Sequence, residues 1–173
     1  SISFIQGQVT KHAYINIHIV DTQIGKLLGN EEWIGKHSVL GKLQIPTGCE
    51  LKIKENTNNP DNETIIICAG SPVSDRKGFV EVLSGGRLEV QSMDKIIPFT
   101  EGKNGEEFSE IKTEQTEGND ESFGWNGIRV HETAEGIINN VMIKYAMTGL
   151  DVAGKVLADV IIINASDTGI KCG

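Results

Sequence analysis

Aromatic rings are scarce in this chain of 173 residues: two Trp, two Tyr and five Phe make up 5% of it. Recognition by ring stacking must therefore rest on a few side chains, with Tyr145 and Trp33 the first candidates and Tyr14 the next. Basic residues are also in the minority, 16 Lys and Arg against 24 Asp and Glu. The resulting net charge of −8 argues against nucleic acid or an anionic membrane surface as partner. No apolar run approaches the roughly 18 residues of a membrane-spanning helix, and no span is expected. No signal-peptide pattern opens the chain either, which starts at Ser1 in mature-looking sequence. Cysteine is limited to Cys49, Cys68 and Cys172, an odd number without a C-x-x-C pair. Each has an apolar, strand-like setting, so buried structural thiols are expected, with a Cys49–Cys68 disulfide as the alternative. The histidines, His12, His18, His37 and His131, show no ligand spacing. No amphipathic helix of convincing length is present; Thr22 to Leu28 comes nearest and is short and flanked by glycine.

What the chain does have is repetition. Gly127-Ile128-Arg129-Val130, Gly149-Leu150-Asp151-Val152 and Gly169-Ile170-Lys171-Cys172 start 22 and then 20 residues apart. Between them, Asn140-Val141-Met142-Ile143-Lys144-Tyr145-Ala146 recurs as Asp159-Val160-Ile161-Ile162-Ile163-Asn164-Ala165, offset by 19. Short apolar or alternating segments at a fixed period of about 20 residues predict a parallel β-solenoid, in which each repeat buries its apolar face only against its neighbours. In register, Ile128, Leu150 and Ile170 form one inward column, and Val130, Val152 and Cys172 the next. Arg129, Asp151 and Lys171 then face outward as a plus–minus–plus ladder.

The rest of the chain follows this plan less regularly. Val39–Ile45 and Glu50–Lys54 read as strands around Pro46-Thr47-Gly48, and Phe79–Leu83 and Arg87–Val90 as strands around Ser84-Gly85-Gly86. Ile96 to Thr100 is expected to end that strand series, because Pro98 cannot donate to a central ladder. Ile65–Cys68 and Val160–Ile163 are apolar on both faces, so their outer sides require cover, from the N-terminal strands (Ile2 to Ile5, Tyr14 to Val20) or from a partner. Glu101 to Glu121 carries eight Asp or Glu against Lys103 and Lys112. It reads as a solvated insertion that can be shortened at little cost, with a calcium loop as the alternative although D-x-D-x-D-G spacing is absent. No other cofactor is expected.

Gly41 to Ile53, Gly85-Gly86-Arg87-Leu88-Glu89-Val90, Ile97-Pro98-Phe99-Thr100 and Trp125-Asn126-Gly127-Ile128 together resemble the rung order of bacterial right-handed parallel β-helix surface proteins of the pectin-lyase-like group. The resemblance implies an all-β chain with N-terminal strands or a cap at 1–32, a right-handed parallel β-helix at 33–173, and the acidic insertion at 101–124. Because the chain stops in mid-repeat, it is expected to be part of a longer coil. The group contains lyases, hydrolases, adhesins and surface-layer material, so activity must be argued from residues. The paired aspartates and histidine of its inverting hydrolases are missing. Arg129, Asp151 and Lys171 could mimic a pectate-lyase-like calcium and base arrangement, but a plain charge ladder is the simpler reading. The expectation is a non-catalytic extracellular module of a bacterial surface protein that binds a polysaccharide or cell-wall surface. In architecture and in lacking catalytic motifs it is similar to the tapirin-like cellulose-binding proteins. The alternatives are a polysaccharide lyase or glycoside hydrolase fragment and a structural surface-layer or stalk segment.

Overall fold

The computed structural model describes residues 2–6, 9–13, 21–59, 63–69, 78–103, 106–107, 125–163 and 165–173, and among these there is no helix. Strands β1 (Ile2–Gln6) and β2 (Val9–Ala13) form a separate antiparallel pair. Every other strand joins one fourteen-stranded sheet. Within it only β11 (Glu106–Glu107), which turns back on β10 (Ile97–Lys103), runs antiparallel to its neighbour. The rest is parallel.

The parallel strands stack in three ladders. The first runs through the front of β3 (Asp21–Lys26) and of β5 (Lys36–Ile45), then β7 (Ile65–Ala69), β10 and the rear of β13 (Glu135–Lys144) and β15 (Lys155–Ile163). The second takes the rear of β3 and β5, then β8 (Gly78–Val82), β12 (Trp125–Val130), β14 (Thr148–Val152) and β16 (Thr168–Cys172). The third holds β4 (Glu31–Ile34), β6 (Glu50–Lys54), β9 (Arg87–Gln91) and the front of β13 and β15. From β5 onward the chain visits first, second and third ladder in unchanging cyclic order, an arrangement compatible with a solenoid.

Apolar columns fill the interior. Leu43, Val80, Ile128 and Leu150 are in register on the second ladder and buried, as are Ile66, Phe99 and Ile143 on the first and Ile53, Val90 and Ile138 on the third. A fully buried aliphatic side chain contributes about 1.5–3 kcal/mol, so these columns are the main source of stability. Ile170 continues the Ile128–Leu150 column as expected, but on the outermost strand it is 53% exposed.

The turns from second to third ladder stack on one another too. Gly48, Gly85 and Thr133 occupy equivalent places with φ of 75°, 73° and 61°. The Gly48 N–H donates to Gly85 O at 2.9 Å and the Gly85 N–H to Thr133 O at 3.3 Å. Thr47 Oγ1 donates to Ser84 O, and Ser84 Oγ to Glu132 O, each at 2.6 Å. The left-handed backbone there explains the Thr-Gly and Gly-Gly dipeptides of the first two turns.

Thr22 to Leu28, too short and glycine-flanked to be expected as a helix, contains most of strand β3, which pairs with β5. The parallel sheet reaches back to Asp21. One expectation needs correction: Pro98 does not end the strand series. β10 continues to Lys103 between β7 and β13. Pro98 opposes Met142 of β13, whereas pairing with β7 begins one residue later, at Phe99 opposite Ile66. The missing donor therefore sits at a strand start, where proline is tolerated.

Candidate functional site

The outer face of the second ladder gathers most of the chemistry. Alternation turns Leu43, Val80, Ile128 and Leu150 inward, and so turns Gln44, Glu81, Arg129, Asp151 and Lys171 outward in one registered row. The expected Arg129–Asp151 pair forms, with Arg129 Nε donating to Asp151 Oδ2 at 2.7 Å.

Glu81 lies at the heart of the row, 5% exposed. It accepts hydrogen bonds from Gln44 Nε2 at 2.7 Å, Lys42 Nζ at 2.5 Å and His131 Nε2 at 2.7 Å. Burial alone would raise its carboxyl. Those three bonds and the positive charge of Lys42 outweigh burial and hold it down at about 2. Phe79 completes the cluster, with the Arg129 guanidinium 5.3 Å and the Lys42 ammonium 5.8 Å from its ring centre. The face is therefore a row of charges, paired from Lys42 to Asp151 and interrupted by one ring.

Lys42, Gln44, Phe79, Glu81 and His131 escape a reading of the repeats. Gln44 and Glu81 are 37 residues apart, and the next turn of chain adds 48, because residues 70–77 and the insertion break the period of about 20. The available signal was the matching position of Gln44 and Glu81 relative to their turns, Gln44-Ile45-Pro46-Thr47 against Glu81-Val82-Leu83-Ser84.

The three expected rings have separate fates. Tyr145 lies in the corner between β13 and β14, half-buried, with φ of 57° and its N–H donating to Ile163 O at 3.0 Å. Trp33 is not an exposed ring: at 2% exposure it stacks on His37, with centroids 4.8 Å apart, and its Nε1 donates to Glu31 Oε2 at 2.9 Å. Its position in register with Ile53 places it on the inner side of the third ladder, a consequence of β4 joining that ladder. Tyr14 lies outside the described residues. Trp125, expected to pack rather than bind, is fully buried and donates from Nε1 to Lys144 O at 2.9 Å.

The outer face of the third ladder is mostly charged, with Ile34 and Leu157 exposed on its two outermost strands. Arg87 bridges Glu50 at 2.9 Å, Glu89 at 3.1 Å and Glu135 at 2.8 Å, and Lys54 meets Glu32 at 2.7 Å. The first ladder differs. Ile67 stands outside the core cluster and is still fully buried, as are its registered neighbours Ser38 and Thr100, so its outer side is covered at these rungs. All three cysteines are free thiols: Cys68 is buried, which pushes its thiol up, Cys49 is half-buried, and Cys172 is exposed on β16. The Cys49–Cys68 disulfide is absent, and Cys172 is exposed rather than buried, on a strand that among the described residues pairs with β14 alone. Among the described residues no group of three or more His, Cys, Asp or Glu could hold a metal ion; most of the acidic insertion lies outside them. No described helix is long and apolar enough to cross a membrane.

Comparison with protein-family models, with curated proteins and with solved structures found no match.

Proposed function

We propose that this chain is a non-catalytic glycan-binding module built as a right-handed parallel β-helix of the pectin-lyase-like kind and displayed at a bacterial cell surface. The right-handed coil follows from the strong preference of parallel crossovers for that hand. The observation that carries the functional reading is the registered outer row of the second ladder. Gln44, Arg129, Asp151 and Lys171, with buried Glu81 in the row between Gln44 and Arg129, repeat at the spacing of parallel strands, about 4.8 Å, and give a polar track that an extended chain of hydroxyl-bearing sugars can follow. Phe79 supplies an apolar contact within the track, and Tyr145 supplies a second ring at the entrance to β14. Pairing of Arg129 with Asp151 favours binding over lyase chemistry, since the carboxylate is already engaged by a cation.

The test is a pull-down on insoluble glucans and cell-wall material, run beside assays for reducing ends and unsaturated products. Retention without product supports the reading. Turnover by the intact protein sinks it in favour of the lyase or hydrolase alternative, and absence of both leaves the structural stalk. If binding occurs, Tyr145→Ala should weaken it by about 1–3 kcal/mol, the range of an important interfacial ring, while the circular dichroism spectrum stays unchanged.

A further inference from the structure

The hydrogen-bonding capacity left over around Glu81 decides what kind of sugar the outer row of the second ladder can hold. Gln44 Nε2 donates to Glu81 Oε2 and His131 Nε2 to Oε1, each at 2.7 Å, so one carboxylate holds both side chains, one on each oxygen. An ionised carboxylate only accepts, which fixes both partners. The Gln44 amide must turn its nitrogen toward Glu81 and its Oε1 away. The His131 ring must carry its hydrogen on Nε2, which leaves Nδ1 of the neutral imidazole as an acceptor. Among the described residues neither Gln44 Oε1 nor His131 Nδ1 has a hydrogen-bond partner, and the His131 side chain is 37% exposed.

Two acceptors call for a ligand that donates. Sugar hydroxyls do so; an ionised uronate, sulfate or phosphate does not, and it would meet these lone pairs beside the Glu81 charge. The cations of the cluster do not reverse that preference. Lys42 Nζ is paired with Glu81 Oε2 at 2.5 Å and Arg129 Nε with Asp151 Oδ2 at 2.7 Å, so each is already matched by a carboxylate. Lys42 keeps further N–H groups for a hydroxyl oxygen, since an ammonium has three donors. Phe79, in register with Lys42 and two residues before Glu81 on the same face, offers the C–H groups of a sugar ring an apolar contact.

Building on the glycan-binding reading, on which this step rests, we propose that Gln44, His131, Lys42 and Phe79, held together by Glu81, form a subsite for one uncharged sugar unit that presents two neighbouring hydroxyl groups. Gln44 and His131 accept the two hydroxyl hydrogens, Lys42 donates to a hydroxyl oxygen, and Phe79 packs against the ring. Glu81 touches no sugar. It is a positioning residue, whose bonds to Gln44, His131 and Lys42 keep the two acceptors aimed outward.

Affinity electrophoresis of the full chain in gels holding hydroxyethylcellulose, xylan, galactomannan or polygalacturonate tests this, with affinities taken by calorimetry on the matching oligosaccharides. Retardation by at least one neutral polymer and none by polygalacturonate is expected, and added salt should change the affinity by less than about twofold. Gln44→Ala and His131→Ala should each weaken binding about three- to tenfold, the loss of one net hydrogen bond. Phe79→Ala should weaken it about fivefold or more, and Phe79→Leu, which keeps an apolar side chain, should lose less, with circular dichroism unchanged throughout. Long-range proton–nitrogen NMR spectra should place the His131 hydrogen on Nε2 and show a sugar-induced shift at Nδ1. Glu81→Gln should abolish that tautomer preference, an effect that a merely structural contact would not produce. Neutral-glycan binding that survives all three alanine variants overturns the subsite and leaves the glycan reading standing. Preference for polygalacturonate overturns the subsite as well, and retention by none of the four polymers overturns both.

Discussion

Strands β13 and β15 carry the same phrase and differ in almost everything that matters for stability. They pair residue by residue from Val141 opposite Val160 to Lys144 opposite Ile163. β13 has neighbours on both sides, β9 and β10 on one and β15 on the other, and its Val141 and Ile143 are buried. The partners of those residues on β15, Val160 and Ile162, are only half-buried, and Ile161 is 47% exposed. In a stacked repeat the environment of a side chain comes from the rungs above and below it, so identical local patterns yield unequal contributions.

The largest test of that contrast uses the glycine that opens each copy of the repeat phrase. Gly127 has φ of 103°, and a Cβ there would lie 1.6 Å from Thr148 O; at Gly169 a Cβ meets open space. Gly127→Ala should cost about 3 kcal/mol or more, combining backbone strain with a clash against a neighbouring main chain. Gly169→Ala should stay within about 0.5 kcal/mol, as surface changes usually do. Urea denaturation of both variants decides the matter, and equal losses would break the comparison.

Next come the aliphatic partners. Ile143→Ala should lose about 2–5 kcal/mol, the range for truncating a fully buried isoleucine. Ile162→Ala, its registered neighbour on β15, should lose roughly half as much, in proportion to the apolar area it buries. A loss at Ile162 matching that at Ile143 would break the comparison, since the two rungs would then contribute equally.

Glu81 provides the third test, between an inner rung and the outer ones. Its carboxyl is held below the ordinary carboxylate value of 4.5, at about 2, so its stabilising contribution is fully present above about 4.5 and is lost as pH falls toward 2. Glu81→Gln should flatten the fall in melting temperature across that window. Glu81→Ala should cost about 1–3 kcal/mol at neutral pH, because Gln44, Lys42 and His131 lose a shared acceptor. An unaltered acid profile in Glu81→Gln would show that other carboxylates govern it.

The smallest effect belongs to the Arg129–Asp151 pair. With Arg129 43% exposed, a double-mutant cycle should give a coupling of about 0.2–1 kcal/mol, weaker still in high salt. A coupling of several kcal/mol would contradict the description of this row as a partly solvated charge ladder.

Much of the fold could be read from the chain because its C-terminal repeats are short and nearly equal in length. The registers Ile128–Leu150–Ile170 and Val141–Val160 follow from spacings of 22, 20 and 19 residues. The candidate site was less legible. Arg129, Asp151 and Lys171 belong to the regular repeats and could be aligned, but Glu81 and Gln44 are separated from them by connections of unequal length, and His131 enters from a turn. Trp33 shows a different limit, since whether its ring faces glycan or core depends on which ladder β4 joins.

The sequence by itself determined the strand segments, their turns and the alternation that sends Ile128 inward and Arg129 outward, because these depend on backbone sterics and the two-residue period of a strand. Only the tertiary structure decided that Thr22 and its neighbours extend rather than coil, that Pro98 lies within a central strand, that Trp33 is covered and that Leu157 is bare. Each of those outcomes depends on which strand stacks alongside, and stacking partners lie tens of residues away at distances set by connections that carry no period of their own.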